Sequence, residues 1–238
     1  MAVRIVDVGF GDPVVERVYE ELLRPGFPPD ELLLRSELDD ALRQGSGVLA
    51  VALDEAGDPR GAAVGEWRAG SGVLLLSYLA VRGGQRSAGI GSRLMEHVGT
   101  HWQRSLSPRM TLAEVEHPMA HPASEHGDPV ARLRFYWRRG ARALDVPYVQ
   151  PALRKGTRRV PDMLLLLLLT SSGAPPHREE DIDAETVLAF LRDHFVEAEG
   201  EEALEDRALD AMWEAVRGRP RVPLLDLADT DRLPRATG

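Results

Sequence analysis

The stretch that most constrains this chain runs over residues 73–98, VLLLSYLAVRGGQRSAGIGSRLMEHV. Val73 to Val81 is apolar except at Ser77 and Tyr78. A continuous apolar run bounded by glycines predicts a strand covered on both faces. Leu94, Met95 and Val98 then recur at helical spacing. Between the two lies Arg86-Ser87-Ala88-Gly89-Ile90-Gly91. Glycines lack Cβ atoms, so the backbone can turn tightly and a ligand can come close. Amides at the start of a helix favour an anion. Arg86 adds a fixed positive charge suited to phosphate. Strand, loop and helix together predict a pyrophosphate cradle on the end of a core strand.

A dinucleotide-binding loop is the nearest physical competitor. In that loop the first glycine closely follows the strand. Here Gly89 stands eight residues after Val81, and Leu94 occupies the place of the third glycine. Glu114 and Glu116 do lie about where a ribose-binding acid would be, roughly 20 residues on. A P-loop is excluded, because no Gly-Lys-Ser/Thr occurs and Lys155 is the chain's one lysine.

Charge and composition narrow the partners. From Ser171 onward 17 acidic residues face 8 arginines, which accounts for the whole net charge of −9. No basic stripe suggests a nucleic-acid partner. The chain has no cysteine, which removes disulfides and thiol catalysis. Its first ten residues have no secretory pattern. Met163 to Leu169, the longest apolar run, is far short of a membrane span. A cytoplasmic protein without a membrane partner is expected.

Along the chain, Val3 to Val8 reads as a strand. Asp12 and Pro13 open a helix with a stripe of Val15, Val18, Leu22 and Leu23. After the breaker RPGFPPDE, Asp30 is expected to cap a second helix, which ends at Gly45 to Gly47. Gly47 to Leu53 and Gly61 to Trp67 read as strands joined by a turn. Met110 to Glu116 is the next strand, and Asp128-Pro129 opens the next helix, which stops at Gly140. Asp145 to Pro151 is extended, and Met163 to Thr170 is a final buried strand. Ser171 to Pro176 reads as a linker. Beyond it, apolar stripes predict two helices over residues 184–217, which must pack on the body or on a second subunit, as in a homodimer. RPRVPLL reads as a strap or a frayed end.

Two carboxylates, Glu114 and Glu116, stand i and i+2 on one strand and so share a face. Such a pair is expected to raise each other's pKa, and to act as a base directly or through water, or to bind a cation. His117, His121 and His126 share one loop, but Pro118 denies the first two a helical metal-binding spacing, so no metal is expected.

Arg86-x-x-Gly89-x-Gly91 after a strand ending Leu79-Ala80-Val81 resembles motif A of the Gcn5-related N-acetyltransferases, the GNAT family. A second stretch, RLRFYWRRGARAL, resembles that family's helix with a Phe-Tyr pair, here Phe135-Tyr136, followed by Gly140. Ala141 departs from the aromatic residue the family has there. The resemblance covers about residues 3–170. It implies an α+β fold in α/β/α layers, with a mixed, mostly antiparallel central sheet flanked by helices. The domain would span residues 1–170, with an acidic helical extension over 171–238. It implies acetyl-coenzyme A as acyl donor, bound by Leu79, Ala80, Val81, Arg86, Ser87, Ala88, Gly89, Ile90, Gly91 and Ser92. It implies that Tyr136 protonates the departing thiolate, with Glu114 and Glu116 available for the proton of an amine acceptor. The interhelical loop would border the acceptor, which brings in Phe27 and Glu31; read from the residues alone these are a hydrophobic plug and a surface charge. The implied activity is direct transfer to an amine in a ternary complex. The alternative is a GNAT-fold module that senses acyl-coenzyme A without turnover.

Overall fold

Short apolar runs separated by Gly, Pro and Asp turns become strands, and the amphipathic stretches between them become helices. The computed structural model describes residues 3–83 and 89–236. The chain divides into two units, Met1–Trp67 with Leu74–Pro108, and Arg68–Val73 with Arg109–Gly238. The α+β class and the mostly antiparallel strand pairing are as the sequence predicts.

In the first unit, β1 (Arg4–Val8) leads to α1 (Val14–Val18), α2 (Arg35–Gln44), β2 (Gly47–Leu53), β3 (Pro59–Arg68), β4 (Val73–Val81) and α3 (Ile90–His97). The strands lie in the order β1-β2-β3-β4. Val6 faces Val51, and Ala50 faces Ala63, both in antiparallel register. The Asp12 carboxylate takes the Val14 amide at 2.9 Å, which starts α1. This helix continues as a π turn over Tyr19–Leu23 that buries Leu22 and Leu23. A second π turn, Val98–Trp102, extends α3 into α4 (Gln103–Leu106) and turns Trp102 inward, where its Nε1–H donates to Asp7 at 2.9 Å.

The start of α2 corrects one expectation: Asp30 does not cap it. The Tyr78 hydroxyl accepts from the Leu33 amide at 2.9 Å and donates to the Glu31 carbonyl at 3.1 Å. Held by these two bonds, the chain enters the helix later. Leu34 stays extended, and its amide is taken by the Glu37 carboxylate at 2.6 Å. Phe27 sets its ring edge-on to Tyr78 at 4.9 Å, as a plug under the loop.

One glycine fixes how closely α3 lies on this sheet. A Cβ on Gly61 would stand 2.8 Å from Ile90 Cγ2, 3.0 Å from the Ala80 carbonyl oxygen and 3.2 Å from Leu94 Cδ1. No larger residue fits without moving the helix. Gly61→Val should cost about 1–3 kcal/mol by overpacking. A urea midpoint equal to that of the wild type would show that α3 gives way freely.

In the second unit, β5 (Met110–Glu116) precedes α5 (Pro129–Trp137), β6 (Arg142–Leu144), β7 (Tyr148–Gln150), β8 (Val160–Thr170), β9 (Asp181–Asp183), α6 (Ala184–Glu199), α7 (Asp210–Glu214) and β10 (Arg221–Asp226). Their order is β5-β8-β6-β10-β9, with β7 also on β8. The leucines of β8 are buried throughout, as a strand covered on both faces requires. Asp128 caps α5 by accepting the Val130 amide at 2.9 Å, and Gly140 closes its end in the left-handed region at φ 78°.

The tail differs from its sequence pattern in two ways. The second predicted helix is broken into two 3-10 turns, Glu201–Leu204 and Arg207–Leu209, and the short α7, because the Asp206 carboxylate takes the Ala208 amide at 2.9 Å and restarts the chain there. RPRVPLL is neither strap nor frayed end but strand β10. Its first half pairs with β9 and its second half with β6, and the register changes partner after Pro223. Helix α6 buries Val187, Phe190, Leu191, His194 and Phe195 within this unit. Arg159 clasps it with bonds of 3.0 Å from Nε to both Glu199 oxygens and of 2.6 Å from Nη1 to Asp206. No described helix is long and apolar enough to cross a membrane.

Candidate active site

The strand end and helix start that the sequence predicts as a cradle lie in the first unit. β4 ends at Leu79, Ala80 and Val81, of which Ala80 is buried and the other two are half-buried. Gly89 stands at φ 74°, ψ 6° immediately before α3, and its carbonyl accepts the first helical bond from Arg93 at 3.1 Å. That conformation is left-handed, where only glycine is unstrained. Among the described residues, nothing lies within 4 Å of where a Gly89 Cβ would be. Ile90 and Gly91 are buried, and the Ile90 side chain belongs to the core. Ser92 is exposed in the first turn. Arg86, Ser87 and Ala88 lie outside the described residues.

The second unit gathers a buried polar cluster around Glu114. Strands β5 and β7 flank β8, with Glu114 opposite Leu165 and Tyr148 opposite Met163. Tyr148 and Gln150 reach across β8 to the carboxylate. The Tyr148 hydroxyl donates to Glu114 Oε1 in a short bond, and Gln150 Nε2 donates to Oε2 at 3.0 Å. From α6, His194 Nε2 stands 3.3 Å from Oε1, its ring stacked on Phe190 at 5.3 Å. On the far side of the imidazole, Arg68 Nη2 is 3.2 Å from Nδ1, and Arg68 is also ion-paired with Glu197. Glu116, two residues along β5, takes a different partner, Arg132 of α5, at 2.7 Å.

These contacts correct the expectation that the two acids raise each other's pKa. Burial pushes the Glu114 carboxyl up, but donation from His194, the positive charge of that ring where it is protonated, and donation from Tyr148 and Gln150 together outweigh it. The group sits below the ordinary value of 4.5 and is ionised at neutral pH. Tyr136 behaves differently. It lies on the buried face of α5, and burial pushes its phenol up to about 12, against the opposing charges of Arg132 and Arg139. It is a neutral donor across the physiological range.

Of the loop histidines, His117 is buried and accepts the Met119 amide on Nδ1 at 3.1 Å. His121 Nε2 lies 3.0 Å from the Pro161 carbonyl. Burial holds the His117 imidazole below the ordinary 6.5. A depressed folded pKa gives stability that is present above the unfolded value and lost as pH falls. His117 should therefore begin to cost stability as pH drops below 6.5, and Glu114 should add its loss below 4.5, through its lower folded value. Urea midpoints followed from neutral pH down to about 4 should fall in that sequence, with Glu114→Gln removing the later part. A midpoint flat across that range would contradict both assignments.

The sequence pointed to Glu114, Glu116 and Tyr136 but not to Tyr148, Gln150, His194 or Arg68. The signal for His194 was present as a polar residue inside the apolar stripe of α6.

No protein-family model matches the sequence, and no curated protein does. Solved structures do match. A protein assigned to the GNAT acetyltransferases from Bacteroides thetaiotaomicron aligns with a TM-score of 0.57 and 22% identity, over 81% of this chain and 96% of its own. An assigned acetyltransferase from Acinetobacter baylyi ADP1 gives 0.51 and 15%, over 71% and 94%. Another assigned to the GNAT family, from Desulfovibrio desulfuricans, gives 0.50 and 22%, over 71% and 99%. With its strands in this order and a left-handed glycine between a core strand and the following helix, the chain has the fold of the GNAT acetyltransferases.

Proposed function

We propose that this protein is an N-acetyltransferase that moves an acetyl group from acetyl-coenzyme A to an amine by direct transfer in a ternary complex. The observation that carries this reading is Gly89, left-handed at the start of α3, following core strand β4 in a chain of GNAT fold. Amides at the start of a helix suit a pyrophosphate. In this reading Leu79, Ala80 and Val81 offer backbone groups to the pantetheine arm and the acetyl oxygen, an oxyanion-type arrangement. Gly89, Ile90, Gly91 and Ser92, with Arg86, Ser87 and Ala88, hold the pyrophosphate.

The acceptor amine must lose a proton and the coenzyme thiolate must gain one. Tyr136, neutral and pushed up to about 12, is the donor to sulfur. Glu114 and Glu116 take the amine's proton, through water where their own partners occupy the direct approach. Glu114 is in the ionised form that such a role needs.

Initial rates with acetyl-coenzyme A and the amine both varied test the mechanism. Intersecting double-reciprocal lines are expected, and parallel lines would mean a covalent acetyl-enzyme instead. Binding of acetyl-coenzyme A without turnover on any amine would favour the sensor module.

A further inference from the structure

Glu114 and His194 are 80 residues apart, one on a core strand and one in the C-terminal segment, yet they meet at 3.3 Å. Both are buried, at 7% and 5% side-chain exposure. Arg68 fixes which proton the imidazole carries. A guanidinium can only donate, so His194 Nδ1, 3.2 Å from Arg68 Nη2, must accept. The ring is then neutral, with its proton on Nε2, and that N–H points at Glu114 Oε1. Glu114 thus receives three neutral donors from two elements, Tyr148 and Gln150 from β7 and His194 from α6.

The geometry points to His194 as a positioning residue for Glu114, set in place by Arg68, which makes the C-terminal segment a working part of the proposed transferase. This rests on the reading of Glu114 as a proton acceptor given above. Among the described residues the carboxylate's side-chain contacts include the dipoles of Tyr148, Gln150 and His194, with Arg68 on the far side of the imidazole. Such an arrangement keeps a base ionised without neutralising it. It also holds one rotamer, since both oxygens are engaged. Among the described residues, the charged and titratable groups that face the pair include Tyr148 from β7, Arg68 from the end of β3, and Glu197 of α6 through Arg68.

Two measurements decide it, and the first needs no activity. Nitrogen NMR of the wild-type full chain at neutral pH should show His194 protonated on Nε2 and bare on Nδ1. An imidazolium, or a proton on Nδ1, would overturn the assignment. The second compares His194→Gln, which keeps an N–H donor near the Nε2 position, with His194→Leu, which has none. Carbon NMR of the Glu114 carboxyl should show its titration midpoint raised by about one pH unit in His194→Leu and restored in His194→Gln. The acid limb of turnover should move with it, while KM for acetyl-coenzyme A stays unchanged. An unmoved carboxyl titration, or one that moves without the acid limb, would overturn the positioning role. If no amine is turned over by the wild type, the transferase reading fails, and the NMR outcome still decides the network.

Discussion

Tyr136→Phe should lower turnover by about 10²–10⁴-fold, the range for loss of a positioned general acid. The substitution keeps the ring, its burial in α5 and its edge-on contact with Phe135 at 5.2 Å, and removes the one proton the side chain can give. It opens no cavity, so stability should be nearly unchanged. Affinity for acetyl-coenzyme A should also hold, because one phenol adds little to contacts spread along a pyrophosphate and a pantetheine arm. The pH profile supplies a second check. With the phenol pushed up to about 12, the alkaline limb of the wild type should not fall near the ordinary tyrosine value of 10. A variant with wild-type turnover, measured where chemistry limits the rate, would leave Tyr136 as a packing residue and pass the acid role to water.

Substituting Gly89 should act on the cofactor instead. At φ 74° a β-branched residue is strained by roughly 1–2 kcal/mol, so Gly89→Val should both shift the start of α3 and fill the space in front of its amides. Acetyl-coenzyme A affinity should drop at least tenfold. Gly89→Asn separates the two causes. Asparagine tolerates the left-handed region, so the helix start should survive while the added side chain still blocks a ligand. Both variants should lose affinity, and only Gly89→Val should also lose melting temperature. Calorimetric affinities equal to the wild type in both would remove the cradle from this loop.

The features legible in the sequence are those fixed by local chemistry. β4 and β5 match their apolar runs to the residue, and the start of α5 follows from Asp128-Pro129. The later start of α2 was hidden because a tertiary contact sets it: the Tyr78 hydroxyl, 45 residues downstream, takes the Leu33 amide. β10 was obscured by its prolines and arginines, although Val222 and Leu224 are buried and alternate with exposed Arg221 and Pro223, the period of a strand. The candidate site divides in the same way. Glu114 and Glu116 were placed on one face by their spacing, but spacing says nothing about partners. Their different fates, one among three donors and one on Arg132, come from elements far apart in sequence. His194 was least legible, since a lone histidine in an apolar stripe has no local signature that distinguishes a carboxylate partner from simple burial.

Acetyl transfer from acetyl-coenzyme A to an amine is the reaction proposed for this protein. It is tested most directly by following both products in one reaction, free coenzyme A by thiol assay and acetylated amine by mass spectrometry, across small amines, peptide N-termini, lysine side chains and aminoglycosides. At least one class is expected to yield the two products in equal amounts, with Tyr136→Phe slowing both together. Tight binding of acetyl-coenzyme A with neither product formed from any amine would contradict it.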